Sequence, residues 1–336
     1  MKSVLRLTLL VIVLFSTVCG VTTASSGAAT PKATSSRSNA RTPRTNLELR
    51  GWLQNMVWYH HFTLAEMESA LGMEPEEITA ALKAYRVTAA GRPYHDETDP
   101  LLVVPYPGGR HPRIGFLDGA IDPQRETKLS VFTPWDDRSY VVIDVPEALW
   151  SNLGLTYLAH THIPTLWTQE GLELPKLEWR RSRDGSYHLE RKFPNGILLA
   201  TKATPTREAV RLEMKLTNGT TNTLSDLRVQ MCAMLKGAAG FEAQTNANKI
   251  FGKPFVACKS EGGRRWIIWA WEPCNRAWGN PPVPCLHSDP KFPDCKPGQS
   301  KILHGWLSFY EGADIQSELR RIEQDPWLLE AAFTGE

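Results

Sequence analysis

Residues 186–241 decide the fold. The stretch opens with SYHLERKFPNGILLATKATP (Ser186–Pro205), continues through AVRLEMKLTNGTTNTLSDL (Ala209–Leu227) and ends in RVQMCAMLKGAAGF (Arg228–Phe241). Asp184-Gly185 just before it and Asn195-Gly196 within it take positive φ at little cost, which a tight antiparallel hairpin requires. Val210, Leu212, Met214 and Leu216 alternate with Arg211, Glu213 and Lys215. Side chains alternate across a strand, so this period of two predicts a strand buried on one face and wet on the other.

The same pattern of short alternating or β-branched runs, divided by turn residues, extends in both directions. Leu101–Tyr106, Arg113–Leu117, Thr127–Thr133, Ser139–Val145 and Leu155–His160 precede the stretch. Ser186–Phe193, Gly196–Ala203, Ala209–Thr217 and Asp226–Lys236 lie in it, and Trp266–Trp271 and Ile302–Tyr310 follow. So many strands with so few helices predict a mainly β chain, an antiparallel β-sandwich over residues 101–315. No Gly-rich loop opens a helix, which argues against a nucleotide-binding α/β enzyme, and no cofactor is expected.

Residues 47–90 read as a small helical module ahead of the sandwich. Leu49, Trp52, Leu53, Met56 and His60 recur at helical spacing. Thr63-Leu64-Ala65-Glu66 has the pattern of a capping box, Gly72 a stop, and Pro75 with Glu76 and Glu77 a second start. Helix, Gly turn and helix follow one another as in a DNA-binding motif, but Thr63–Tyr85 carries five Glu and one Lys. That charge repels phosphate. Residues 316–336 predict a short helix and a tail.

Residues 1–24 have the pattern of a secretory signal: Lys2 and Arg6, an apolar run from Leu7 to Val18 too short for a comfortable membrane span, then small residues. Cys19 offers a lipid-attachment point, which Val18 suits poorly; an uncleaved leader would be a membrane anchor. Residues 25–46 are rich in Ser, Thr, Ala and Arg and predict a disordered spacer. The chain has 38 Lys and Arg against 36 Asp and Glu, a net charge of +2. Six of the basic residues and no acidic one precede Leu47, which leaves 32 against 36, or −4, for the body. A generally basic, nucleic-acid-binding body is excluded, and the leader predicts a periplasmic or extracellular protein. Export permits disulfides, and one bridge is expected among Cys274, Cys285 and Cys295; Cys232 reads as a buried, inert side chain.

The hairpin at 186–205, the charged strand ending in Asn218-Gly219-Thr220, the apolar strand RVQMCAMLKG and the late stretch PGQSKILHGWLSFYEG (Pro297–Gly312) together resemble the galactose-mutarotase-like supersandwich. The resemblance covers about residues 101–311 and implies a sandwich that acts on or binds sugars. In sugar epimerases of that fold, the strand after the Asn-containing turn carries a His general acid. Val229–Met234 contains none, and Glu311 is the only counterpart to the base, so the resemblance does not extend to ordinary aldose epimerisation.

Three clusters hold candidate chemistry. His160-Thr161-His162 can set two imidazoles on one strand face, toward a substrate or a metal, or for structural hydrogen bonding. WEPCNRAWGNPPVPCLHSDPKFPDC (Trp271–Cys295) reads as a long Pro-rich loop in which His287 and Asp289 can form a proton-transfer or metal pair and Asn280 a substrate contact, or which Asp turns and a disulfide simply hold in order. Its Cys-x10-Cys-x9-Cys spacing is unlike zinc motifs, and no metal is assigned. Arg125 and Lys128 can hold a carboxylate or sugar hydroxyls, or form a solvated charge cluster. Trp269 and Trp271 share a strand side and offer a sugar platform. The expected catalytic set is therefore His160, His162, His287 and Asp289, with Arg125, Lys128, Trp269, Trp271 and Asn280 binding substrate. The expected function is an exported carbohydrate-binding or carbohydrate-active protein. The alternative is a non-enzymatic structural or interaction protein of the cell envelope. Convergence of His160, His162, Arg125, His287 and Asp289 on one cleft favours the enzyme.

Overall fold

The computed structural model describes residues 40–110, 125–160 and 163–333. Helices α1 (Asn46–Trp58), α2 (Leu64–Leu71) and α3 (Pro75–Ala84) come first. The strands follow: β1 (Val103–Pro105), β2 (Lys128–Phe132), β3 (Tyr140–Ser151) and β4 (Gly154–Leu158), then helix α4 (Leu166–Gln169) and β5 (Arg180–Arg181). Next are β6 (Tyr187–Lys192), β7 (Leu198–Pro205), β8 (Ala209–Thr217), β9 (Val229–Met234), β10 (Lys249–Phe251) and β11 (Phe255–Lys259). The last are β12 (Arg265–Glu272), β13 (Cys274–Trp278), β14 (Cys285–Pro290), β15 (Ser300–Glu311), α5 (Ile315–Glu323) and α6 (Pro326–Phe333).

The predicted hairpins are present. Gly185 and Gly196 sit at φ 83° and 94°, and β6–β7–β8 pair antiparallel with Leu199 opposite Leu216 and Ala203 opposite Leu212. Two antiparallel sheets result. One has seven strands, ordered β1-β2-β3-β9-β14-β13 with β4 also on β3; the other has eight, ordered β10-β11-β12-β15-β8-β7-β6-β5. Their facing sides share one core, in which Val131, Ile143 and Leu286 meet Leu212, Met214, Trp269 and Trp271. The mainly β sandwich with a helical module in front is therefore the observed fold.

Each sheet is covered over part of its outer face. Helices α5 and α6 lie over β12 and β15, where Ile315, Leu319 and Ile322 bury Trp306 and Ile268. The helical module lies against the seven-stranded sheet: His60 meets Ser130 of β2, and Tyr59 packs on a second core of Phe132, Val142, Met234 and Cys285. The capping box at Thr63 and Glu66 forms with both of its hydrogen bonds, and Gly72 ends α2 at φ 66°. Among the described residues, no helix is long and apolar enough to cross a membrane.

Several expectations change. The leader, most of the spacer and the expected strand Arg113–Leu117 lie outside the described residues. The end of the spacer is not loose: from Ala40 the chain is held on the body. Arg41 bonds Glu126 (3.0 Å) and Glu178 (2.8 Å), its amide reaches Ala70 O, and Thr45 caps α1. Carboxylates on the body supply what the spacer's composition lacks. The stretch 271–295 is not one irregular loop but the β13–β14 hairpin, with Trp278 opposite His287. No disulfide links any of the five described cysteines, and the bridge expected among Cys274, Cys285 and Cys295 is not formed. The C-terminal stretch forms two helices instead of one.

Candidate functional site

The sequence CLHSDP of β14 alternates across the sheet. Leu286 enters the shared core and Ser288 donates to Pro254 O on that inner side, while Cys285 joins the outer-face cluster. His287 and Asp289 project outward with Cys285. The neighbouring strand β9 pairs Met234 with Cys285 and Ala233 with Leu286, so Cys232 stands beside His287 on the same face.

Strand β3 contributes two carboxylates to that face. Residues Asp144 and Glu147 are three apart, which a strict period of two sends to opposite sides. A β-bulge resets the alternation: Asp144 pairs with Cys232 and Ala148 with Gln230, with an irregularity between them. Both carboxylates consequently reach His160, just beyond the end of β4. His160 Nε2 lies 3.1 Å from Glu147 Oε1 and 3.9 Å from Asp144 Oδ2. Glu147 Oε2 lies 3.9 Å from His287 Nδ1, which is 3.8 Å from Asp289 Oδ1. One row of acid and base groups thus runs across the outer face of the seven-stranded sheet.

The surroundings fix each member. Trp278 stacks on the His287 ring at 4.0 Å and 13°. Asp289 accepts from Met231 N, from Trp278 Nε1 at 2.6 Å and from Arg276 at 2.8 Å. Burial pushes the Asp289 carboxyl up, against the lowering pull of His287, Arg276 and Trp278. Burial acts to lower the His287 imidazole, but Cys285, Glu147 and Asp289 outweigh it and raise its pKa. The Cys232 thiol hydrogen-bonds the Cys285 sulfur; that bond, with the charge of His287, holds the Cys285 thiol below its ordinary pKa against burial.

Two adjoining cavities open on this row, both bordered by Leu158 and Ile163. One, of about 410 Å³, is lined by His160, Tyr157, Trp167, Glu126, Arg41 and Arg191. The other, of about 150 Å³, is lined by Glu147, His287, Trp150, Trp278, Gln230 and Asn280. Of the expected residues, His160, His287, Asp289 and Asn280 therefore come together, and His162 lies outside the described residues.

The remaining expectations are corrected. Trp269 and Trp271 are 0% exposed in the core between the sheets, so neither can serve as a sugar platform; the other face of β12, with Trp266, is covered by α5 and α6. Lys128 is buried in a 2.8 Å ion pair with Asp144 and reaches the row only through that carboxylate. Arg125 points elsewhere. It stacks on Trp52 at 3.8 Å, bonds Glu178 at 2.8 Å and borders a separate cavity beside the helical module. Burial lowers its pKa to about 10, with Glu178 opposing. Glu147, Asp144, Cys232 and Trp150 were missed, because their significance depends on a bulge and on pairings between distant strands.

No protein-family model matches the chain, and no curated sequence matches it. Solved structures do. The chain is similar to a polysaccharide lyase, BACCELL_00875, at 12% identity and TM-score 0.36, covering 66% of this chain and 34% of that one. It is similar to a human-microbiome protein assigned as a kojibiose phosphorylase, at 9% identity and TM-score 0.38, covering 71% and 37%. It is also similar to a mutant of the heparan sulfate lyase HepC from Pedobacter heparinus, at 8% identity and TM-score 0.31, covering 56% and 36%. All three are carbohydrate-active enzymes, and the chain spans about a third of the length of each. The likeness is confined to the chain trace, and the chemistry of the site rests on its own geometry.

Proposed function

We propose that this is an exported carbohydrate-active protein of galactose-mutarotase-like build, and that the row on the outer face of the seven-stranded sheet transfers protons on a bound glycan. The observation that carries the reading is the meeting of His160 and His287 on the two oxygens of Glu147 beside two adjoining cavities. A sugar needs flat apolar walls for its ring faces and polar groups for its hydroxyls. Trp150 and Trp278 provide the first, and Gln230 and Asn280 the second. His160, oriented by Glu147, is the proton-transfer group, and the Lys128–Asp144 pair beside it sets its charge environment. The order of strands from residue 186 to 241 supports the substrate class.

The test is a panel of soluble polysaccharides and oligosaccharides. Hydrolysis and elimination both release reducing ends, and elimination alone adds an unsaturated product that absorbs in the ultraviolet. One glycan class is expected to bind and turn over, with His160→Gln lowering the rate by about 10²–10⁴-fold and Asn280→Ala weakening binding. If calorimetry and soaked crystals place no glycan in the cleft, the reading fails and the non-enzymatic envelope protein takes its place.

A further inference from the structure

At the His287 end of the acid–base row stand two thiols, Cys232 and Cys285, for which proton transfer on a sugar has no use. Cys232 Sγ, Cys285 Sγ and a ring nitrogen of His287 all lie within 4.8 Å of one another, and all three residues are buried. We propose that these three side chains bind a thiophilic metal ion, with Zn²⁺ as the expected occupant.

The geometry has four parts. First, the ligands come from two adjacent, paired strands, β9 and β14, and share one face of the sheet. They are held by ladder hydrogen bonds, not by a loop. Second, the spacing fits. Zn–S and Zn–N bonds near 2.3 and 2.0–2.1 Å in a tetrahedron put sulfur and nitrogen about 3.6 Å apart, and Cys285 Sγ lies 3.2 Å from His287 Nε2. Small side-chain rotations suffice to admit the ion. Third, the histidine is aimed. Its Nε2 faces the sulfur while Nδ1 faces Glu147 and Asp289 at 3.9 and 3.8 Å. Neither carboxylate is within hydrogen-bond distance, but their negative charge beside the far nitrogen raises the basicity of the imidazole. The Trp278 ring, stacked at 4.0 Å, blocks rotation. Fourth, Cys285 and His287 line the smaller cavity, so a fourth coordination position can face solvent or a bound molecule. Two thiolates and an imidazole form a donor set that selects zinc over magnesium or calcium.

This inference goes beyond the proposed carbohydrate role and stands or falls separately from it, because its readout needs no glycan. The purified full chain is reduced, stripped of metal and titrated with Zn²⁺ against a chromophoric chelator, then with Co²⁺. One equivalent of Zn²⁺ is expected, and Co²⁺ should give a thiolate-to-metal charge-transfer band in the near ultraviolet. Cys232→Ser, Cys285→Ser and His287→Gln should each lose affinity by more than the ~10–100-fold that an outer-shell change costs. Cys274→Ser, outside the cluster, should keep wild-type affinity. Circular dichroism identifies any variant that does not fold, and the wild-type cobalt band tests the site without a variant. Absence of both zinc uptake and the cobalt band in the reduced wild-type chain overturns the proposal. So does full affinity in folded Cys285→Ser. Recovery of a Cys232–Cys285 disulfide whose reduction restores no metal binding also overturns it.

Discussion

His60 illustrates how far one residue's protonation can be read from its neighbours. Asn55 donates its Nδ2 to Pro105 O at 2.8 Å, which turns its Oδ1 toward His60 Nδ1, also at 2.8 Å. Nδ1 must then carry the proton, and Nε2 accepts from the Ser130 hydroxyl at 2.8 Å. The neutral ring satisfies both bonds; a second proton would reverse the one to Ser130, whose hydroxyl oxygen can accept, and would leave a buried charge. Burial is the main cause of a pKa lowered from 6.5 to about 3, with Arg110 and His61 adding to it. The unfolded chain therefore takes up the proton first. This contribution to stability is complete above pH 6.5 and is lost as pH falls toward 3, at up to about 1.4 kcal/mol per pH unit. Denaturant unfolding at several pH values should show a shallower acid decline between pH 6.5 and 4 for His60→Gln than for the wild-type chain.

At the scale of elements, the Trp271 ring of β12 lies across β15 because one position there has no side chain. Gly305 pairs with Trp271, and a Cβ there would stand 2.5 Å from Trp271 Cε2. Gly305→Ala should cost about 1–3 kcal/mol through overpacking, whereas Gly262→Ala, with nothing within 4 Å, should stay within about 0.5 kcal/mol. Chemical denaturation of the two variants distinguishes them. Elements with a clear local signal were legible in the sequence: the β6–β8 meander from its period of two and its Gly turns, and α2 from its capping box. The β13–β14 hairpin was not legible. Its prolines at 273, 281, 282 and 284 mark a loop by local rules, and pairing with β9 overrides them. The site shared that difficulty. His160, His287, Asp289 and Asn280 were found as residue types, but Glu147 depends on a bulge and Cys232 on a register. The Cys-x10-Cys-x9-Cys spacing says nothing of Cys232, which stands 53 residues before Cys285 and reaches His287 only through the register of β9 with β14.

For the molecule as a whole, charge and layering set what it meets. The body from Leu47 is net −4, and the module that resembles a DNA-binding motif by helix order is turned with Tyr59 and His60 against the seven-stranded sheet. The chain beginning at Ala40 should leave duplex DNA unshifted in an electrophoretic assay at ~0.15 M salt; retardation there overturns the charge argument. The helical module covers the β1–β2 side of the seven-stranded sheet and leaves the outer face beside β4 open, where the two cavities lie.

Arg41 belongs both to the segment that straps onto the body and to the walls of the cavity at His160 and of the one at Arg125. A change there alters how the chain is fastened and what the openings admit in the same step. Attachment and selectivity therefore cannot drift independently at this position, and selection on either is felt by the other.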